Sequence, residues 1–304
     1  MQLNDQNKRL ISIVGPTAVG KTKKAIEMAQ MLGTEILSAD SRQFYREMTI
    51  GTAKPTAEEL QQVKHHFIDS HSVEHPYSAG AFERDALSTL ESLFQTHEVV
   101  VCVGGSGLYL KALWQGMDDM PEISDAARAQ LIVEFEQGGL PELLNELRIS
   151  DTVYFEQVDQ HNHQRVIRAL EVIRSTGRPF SSFRQNQPKS PRSFVNVKIG
   201  LEMDREQLFA RIDARMDAMI AAGLFEEAEG LYPVRKMNAL QTVGYKEIFD
   251  FMDGLNDKEE AVRLLKRNSR RYAKRQMTWF KADPEIRWFD AEMGVDEIMI
   301  SLGL

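Results

Sequence analysis

The chain has little with which to build a cross-link, a metal cage or a membrane span. Among its 304 residues there is one cysteine, Cys102. A single thiol permits neither an intramolecular disulfide nor a cysteine-based zinc site, which suits a reducing cytoplasm. Cys102 lies within the apolar run VVVCV, so it reads as a buried strand thiol rather than a reactive one. No apolar stretch approaches the roughly 20 residues that span a bilayer, and the polar start MQLNDQNK lacks a signal-peptide core, so export is not expected. The histidine pairs His65, His66 and His161, His163 have no cysteine or carboxylate cluster completing a ligand set, and they read as core or surface histidines. Repeats and low-complexity tracts are absent. A basic excess is missing too: the formal net charge is −8, which taken alone argues against a polyanionic partner.

The distribution of charge reverses that reading. Residues 165–198 hold Arg165, Arg168, Arg174, Arg178, Arg184, Lys189, Arg192 and Lys198 against Glu171 alone. Residues 259–281 hold Arg263, Lys266, Arg267, Arg270, Arg271, Lys274, Arg275 and Lys281 against Glu259 and Glu260. Two strongly basic segments in an acidic chain point to nucleic acid or another polyanion. From Arg263 to Arg275 the charges recur at steps of three and four and so share one broad helix face. Trp279 and Phe280 follow, with flat surfaces that stack on unpaired bases.

Hydrophobic periodicity places a short buried strand at 10–14, a helix at 21–32, a strand at 34–40 and an amphipathic helix at 77–94 with Ser78 as its N-cap. A third strand at 98–105 runs into a glycine turn and a helix at 108–113. Alternation of this kind predicts a parallel α/β sheet with helices on both faces, whose ligands gather at the carboxyl ends of the strands. Three segments follow strands and should converge there: residues 15–22, 40–43 and 104–107. After Met117 the pattern becomes helical, with two stretches divided by Gly138, Gly139 and Pro141, then a helix ended by Gly177 and Pro179, and a polar loop at 181–193. A strand at 194–203 returns to the sheet, and the mostly helical tail holds a short strand at 286–289. The expected organisation is thus a core of residues 1–117 and 194–304 with an all-helical insertion, 118–193.

The first of the converging segments, GPTAVGKT, fits the phosphate-loop pattern at every required position: Gly15, Pro16, Thr17, Ala18, Val19, Gly20, Lys21 and Thr22. Glycines let backbone N–H groups face phosphate oxygens, the following helix adds its positive end, Lys21 neutralises phosphate charge and the Thr22 hydroxyl is placed for Mg²⁺. The pattern does not say whether the phosphates belong to a nucleoside triphosphate or to another pyrophosphate ester. Asp40, at the next strand end, is a magnesium ligand, a general base or the N-cap of a following helix; Ser41 could cap equally well. VGGSGLY is either a tight strand-to-helix turn alone or a turn whose Ser106 hydroxyl serves the same cleft, and in GTAKP Lys54 is available for phosphate.

The stretches GPTAVGKT, SADSRQFY, IGTAKP, HHFID, YSAGAF, VGGSGLY, QRVIRALE, QTVGYKE and AKRQMTWF occur in order between about residue 9 and residue 290. In these the chain resembles the tRNA dimethylallyltransferase (tRNA isopentenyltransferase) family. No Cys/His zinc module follows residue 290, so the resemblance is to the compact bacterial type. It implies a P-loop NTPase-like fold that binds dimethylallyl diphosphate and Mg²⁺, and transfers the dimethylallyl group to N6 of the adenosine just 3′ of a tRNA anticodon, releasing pyrophosphate. Carried over by motif, Asp40 would be the general base, with Ser106 and Arg215 at the diphosphate or the reacting groups. Gly15 to Thr22 would hold the diphosphate, Thr22 with the metal. Contacts to tRNA would come from Asp40, Ser41, Arg42, Gln43, Ser106, Arg128, Gln164, Arg165, Val166, Ile167, Arg168, Gln241, Gly244, Tyr245, Lys246, Lys274, Arg275, Gln276, Trp279 and Lys281, and the insertion would grip the anticodon stem-loop. Ser106 stands where threonine is the more usual residue; the hydroxyl is kept. A monomeric, cytoplasmic enzyme is expected. An adenylate isopentenyltransferase shares the cleft but needs neither the insertion nor the basic tail. A small-molecule kinase has no use for the basic segments, and a non-catalytic RNA-binding module none for Asp40 beside a complete phosphate loop.

Overall fold

Residues 10–14 are largely apolar because the strand they form is covered on both faces. In the computed structural model, which describes residues 8–121, 123–184 and 191–304, this strand, β1 (Arg9–Val14), lies inside a six-stranded sheet. Its companions are β2 (Ile36–Ser38), β3 (His65–His66), β4 (Val99–Val103), β5 (Val195–Glu202) and β6 (Arg287–Asp290), in the order β3-β2-β4-β1-β5-β6, every pair parallel. β1 pairs with β4 from Arg9↔Val99 to Ile13↔Val103 and with β5 from Arg9↔Val195 to Val14↔Gly200. Because β2, β4 and β1 are neighbours, the three loops that leave their carboxyl ends emerge side by side. Residues 15–20, 39–43 and 104–106 therefore meet, as the strand pattern predicts.

Four helices belong to the first half of the core: α1 (Lys21–Leu32), α2 (Ala57–Gln62), α3 (Ala79–Leu93) and α4 (Gly107–Gln115). Ser78 caps α3 by accepting from Ala81 N at 3.1 Å. The chain divides into two compact units, 1–115 with 191–304, and 116–190; the boundaries read from sequence were 118 and 193. The second unit is wholly helical among the described residues: α5 (Asp125–Gly138), α6 (Leu140–Ser150), α7 (Thr152–Gln157) and α8 (His163–Thr176). Where two stretches were expected before α8 there are three helices, because Asp151 ends one and caps the next through Tyr154 N at 3.0 Å. The core resumes with α9 (Arg205–Ala221), α10 (Leu224–Leu231), α11 (Lys246–Met252), α12 (Lys258–Lys281) and α13 (Val295–Leu302). Sequence periodicity did not mark α2 or β3, which are six and two residues long. Lys189 and the polar loop 185–190 lie outside the described residues, as does the polar start before Lys8.

Each face of the sheet has its own core. Leu10, Val14 and Leu37 pack with Phe82 and Leu90 of α3 and Leu110 and Leu113 of α4. Ile11, Ile13 and Val101 pack with Ile26, Met28 and Ala29 of α1, Ile212 of α9 and Ile298 of α13. Cys102 is fully buried and its thiol is pushed up to about 12 by burial, so it is an inert core residue. No helix among the described residues is long and apolar enough to cross a membrane. The helical unit holds a separate core that includes Leu143, Leu147, Val166 and Leu170. Arg174 ties three of its helices together, 2.6 Å from Glu134 and 2.5 Å from Glu146. Leu170→Ala should empty part of this core and destabilise the protein by about 2–5 kcal/mol, measured as a fall in the urea midpoint of unfolding.

Candidate active site

β1 runs into the phosphate loop, and α1 begins at Lys21 behind Gly20, whose φ of 103° is a left-handed conformation open to glycine. No side chain caps this helix start, and its first turn has no acid. Its free N–H groups and dipole are therefore left for an anion. Lys21 folds back to donate to Pro16 O at 2.7 Å. Burial pushes its ammonium down to about 8; Asp40 opposes this and Arg215 adds to it. Thr17 N does not face the anion site: it donates to Oε1 of Gln276 on α12 at 2.8 Å. Nε2 of the same carboxamide donates to Gly105 O at 2.9 Å. A Cβ at Gly105 would collide with that nitrogen, which is why glycine stands there.

The β2 segment ends at Ser38 rather than at Asp40, so Asp40 stands on the loop beyond the strand. No helix follows it, since residues 41–44 are turn, and the capping alternative has nothing to cap. Its Oδ1 accepts from Arg42 N at 3.0 Å. Ser106, just before α4, accepts from Ser41 N at 2.9 Å and donates to Ser41 Oγ at 3.0 Å, fastening the β4 loop to the Asp40 loop. Gln43 Nε2 donates to the carbonyls of Thr52 and Ala53 at 3.2 and 3.1 Å, and Arg215 of α9 reaches Ala53 O at 3.4 Å. Ala18 and Ala53, both lining the site, hold φ of 66° and 49°, a strained backbone for residues with a Cβ.

These parts line a partly open cleft. Thr17, Lys21, Asp40, Arg42 and Arg215 make its polar side; Ile212, Met216, Met219 and Val243 make an apolar wall. Burial lowers the Arg215 pKa against the pull of Asp40, and the guanidinium stays charged. Tyr272 of α12 also lines the cleft, its phenol pushed up to about 12 by burial and by Asp40. A smaller recess of about 500 Å³ shares Thr17, Lys21, Asp40 and Arg215 and extends to Thr22, Ser38 and His65. Among the described residues no three His, Cys, Asp or Glu side chains gather as a metal cage.

α12 presents a second surface. Lys111 and Trp114 of α4, with Arg271, Lys274, Arg275 and Trp279 of α12, line an open groove of about 1620 Å³. The basic stripe read from sequence is only partly free. Lys266 pairs with Asp217 at 2.6 Å, Arg270 with Asp213 at 2.6 Å and Arg263 with Glu260 at 2.6 Å. Two of those acids come from α9, a tertiary neighbour invisible to helix periodicity. Lys281 is likewise held, 2.6 Å from Glu202.

Several residues expected at the site have other tasks. Lys54 is not free for phosphate: it donates to Tyr45 O at 2.6 Å and pairs with Asp69. The Val19 side chain is core. Gln276 is buried as the loop clamp, though it also lines the cleft. Val166 is fully buried in the helical unit, and Ile167 packs against the same core. Tyr245 is fully buried, its hydroxyl donating to Glu227 at 2.6 Å. Gly244 is buried, its N–H donating to Glu247 at 2.9 Å, though it reaches the cleft wall. Gln241 is exposed and donates to Arg235 O at 2.6 Å; Lys246 is exposed. In the helical unit Arg128 and Arg168 stand 3.6 and 3.3 Å from the buried Glu171, while Gln164 and Arg165 are exposed at the start of α8.

Missed from sequence were Glu227, Tyr272 and the apolar wall. The wall was readable: Ile212, Arg215, Met216 and Met219 are spaced 3, 4 and 7 residues from the first and share one face of α9. Glu227 was not. Its carboxylate accepts from Thr49 N, Ile50 N and Gly51 N at 2.9, 2.7 and 2.9 Å, partners about 177 residues away in the chain.

A parallel sheet with a phosphate loop after its β1 strand, a facing carboxylate and two half-buried cations defines an enzyme of the P-loop class. Residues 43–283 match the IPP transferase family. The chain is 53% identical over 283 residues, 93% of each chain, to a tRNA dimethylallyltransferase of Cytophaga hutchinsonii, and 51% identical over 281 residues, 92% of this chain and 93% of the other, to one of Christiangramia forsetii. Its fold is similar to the full-length tRNA isopentenylpyrophosphate transferase of Bacillus halodurans (38% identity, TM-score 0.70, 97% of this chain and 94% of that one). It is also similar to a eukaryotic dimethylallyltransferase acting on tRNA (26% identity, TM-score 0.76, 93% of this chain and 74% of that one). The chain belongs to the IPP transferase family.

Two outcomes follow from the loop. Gln276→Leu leaves Thr17 N–H and Gly105 C=O without their partners and should cost about 2–4 kcal/mol of stability, seen as a lower midpoint of denaturant unfolding. A bound diphosphate favours the charged form of Lys21, so it raises a pKa that starts at about 8. Affinity for inorganic pyrophosphate should therefore fall as pH rises above 8, with proton uptake on binding. Calorimetry at pH 8.5 in buffers of different ionisation enthalpy reads this directly, and Lys21→Arg should take up fewer protons at the same pH.

Proposed function

We propose that this chain transfers the dimethylallyl group of dimethylallyl diphosphate to N6 of the adenosine 3′ to the anticodon in tRNA, as a monomer in the cytoplasm. The observation that carries the donor is the composition of the cleft. One side offers an uncapped helix start, Lys21 and Arg215, as a diphosphate needs; another offers Ile212, Met216, Met219 and Val243, as a short branched alkyl chain needs.

The chemistry follows from those groups. An exocyclic amine is a weak nucleophile, its lone pair delocalised into the purine. N6 attacks the carbon that bears the diphosphate, the C–O bond breaks with its electron pair leaving on pyrophosphate, and the N6 proton passes to the Asp40 carboxylate. Lys21, Arg215 and the N–H groups at the start of α1 stabilise the charge on the leaving group. Ser106 acts through Ser41, holding the Asp40 loop in place. Mg²⁺ commonly takes one or two protein oxygens and fills its shell with phosphate and water. The Thr22 hydroxyl, lining the recess beside the loop, fits that demand as the protein oxygen. When bound, the metal would neutralise charge on the diphosphate.

For the acceptor, the groove beside α12 supplies Lys111, Arg271, Lys274 and Arg275 for phosphates and Trp279 for a stacked base. Arg165 and Gln164 of the helical unit are free for the anticodon stem-loop. The accepting adenine must leave its stack, at a cost of a few kcal/mol that contacts in the cleft offset.

Incubating the protein with Mg²⁺ and labelled dimethylallyl diphosphate should place label in tRNA and not in AMP; label in AMP alone overturns the reading. Asp40→Ala should lower transfer at least 10²-fold while tRNA still binds in a filter assay, and near-normal turnover would remove Asp40 from its role.

A further inference from the structure

The proposed reaction gives His65 no task, yet His65 is among the residues that line the recess beside the phosphate loop. It stands at the start of β3, the edge strand, next to β2, and lines the recess with Thr22 and Ser38. Its Nδ1 lies 2.8 Å from Val63 O. A carbonyl only accepts, so Nδ1 carries the hydrogen, and in the neutral ring Nε2 presents a lone pair. Burial lowers the pKa of this histidine and so favours the neutral ring.

That Nε2 is buried and has no hydrogen-bond partner. Among the described residues only one other buried side-chain atom shares this condition, Asn196 Oδ1 on β5. The neighbouring His66 is spent, 2.6 Å from Glu35. An unpaired buried acceptor is costly, and a donor at the recess that His65 lines would relieve it. Lys21 is turned to Pro16 O. Diphosphate oxygens are themselves acceptors at neutral pH. A water polarised by a divalent cation is a strong donor.

We propose that His65 Nε2 accepts a hydrogen bond from a water in the hydration shell of Mg²⁺ held at Thr22, which makes His65 an outer-sphere positioning residue for the metal–diphosphate. This rests on the reading that the loop binds a magnesium diphosphate. Outer-sphere partners of this kind typically change metal affinity 10–100-fold.

The test is calorimetric binding of inorganic pyrophosphate, with and without Mg²⁺, to the full chain and to His65→Ala and His65→Gln. His65→Ala should lose about tenfold of the affinity seen with Mg²⁺ and leave metal-free binding within about twofold of wild type. Gln keeps an acceptor at similar reach, so His65→Gln should recover most of the loss. Magnesium that strengthens binding equally in wild type and His65→Ala overturns the role of His65 alone, as does an equal loss with and without the metal. Wild-type protein that binds no pyrophosphate, or gains nothing from Mg²⁺, overturns the underlying reading as well. Should the variants fold poorly, the wild-type imidazole answers: its Nε2 nitrogen resonance should shift toward the hydrogen-bonded acceptor range with Mg²⁺ and pyrophosphate together and not with pyrophosphate alone. A resonance that stays in place rejects the proposal.

Discussion

The site depends on one buried carboxamide. Gln276 accepts from Thr17 N and donates to Gly105 O, so it joins the β1 loop, the β4 loop and α12 at one point. Each bond crosses more than 170 positions of chain. The two loops leave adjacent parallel strands, but adjacency alone fixes neither their conformation nor the direction of their N–H groups. A residue that donates and accepts at once fixes both, and burial makes each bond costly to leave unmade. It also decides which backbone groups remain for an anion: Thr17 N is withdrawn, and the start of α1 is left open.

The opposite wall is held by a carboxylate. Glu227 gathers Thr49, Ile50 and Gly51 N–H and the Tyr245 hydroxyl, and so sets the loop whose Ala53 carbonyl receives both Gln43 and Arg215. Charge-assisted bonds to backbone donors are among the stronger ones. Here they support an Ala53 backbone at φ 49° that would not be kept by local preference. This wall is thus positioned from its periphery, by a carboxylate that does not line the cleft.

The alternation of strands and helices, the phosphate loop and the convergence of residues 15–22, 40–43 and 104–107 were legible in the sequence, because each depends on short-range patterns: an apolar run, a glycine spacing, a strand end. The helical nature of the second unit's described residues was legible for the same reason. What escaped depends on pairing across the chain. The stripe from Arg263 to Arg275 has one sign along its helix, yet Asp213 and Asp217 of α9 neutralise part of it. Val166 and Tyr245 sit in motifs of polar character, and only packing reveals that both are core. Gln276 and Glu227 do their work on backbone atoms, which leave no trace in residue types. The histidines were dismissed because no ligand set surrounds them; a lone acceptor at a recess needs no such set.

The arrangement of charge bears on why this loop would hold a leaving group rather than a transferred phosphate. In phosphoryl transfer the electrophile is phosphorus, and the surroundings of the phosphates are positioning and charge. Here one helix, α9, carries Arg215 and, on the same face, Ile212, Met216 and Met219, so charge and apolar surface are presented together. Burying a branched alkyl chain there gains about 25 cal/mol per Å², whereas a ribose would lose hydrogen bonds to water and find few in return. In the proposed reaction a proton moves from N6 to Asp40 as the diphosphate gains one negative charge. The carboxylate loses its charge as the leaving group gains one, within the same electrostatic reach of Lys21 and Arg215. Charge is moved across the cleft, not created in it, and in a partly buried site, where creating charge is most costly, that transfer suits the two fixed cations beside it.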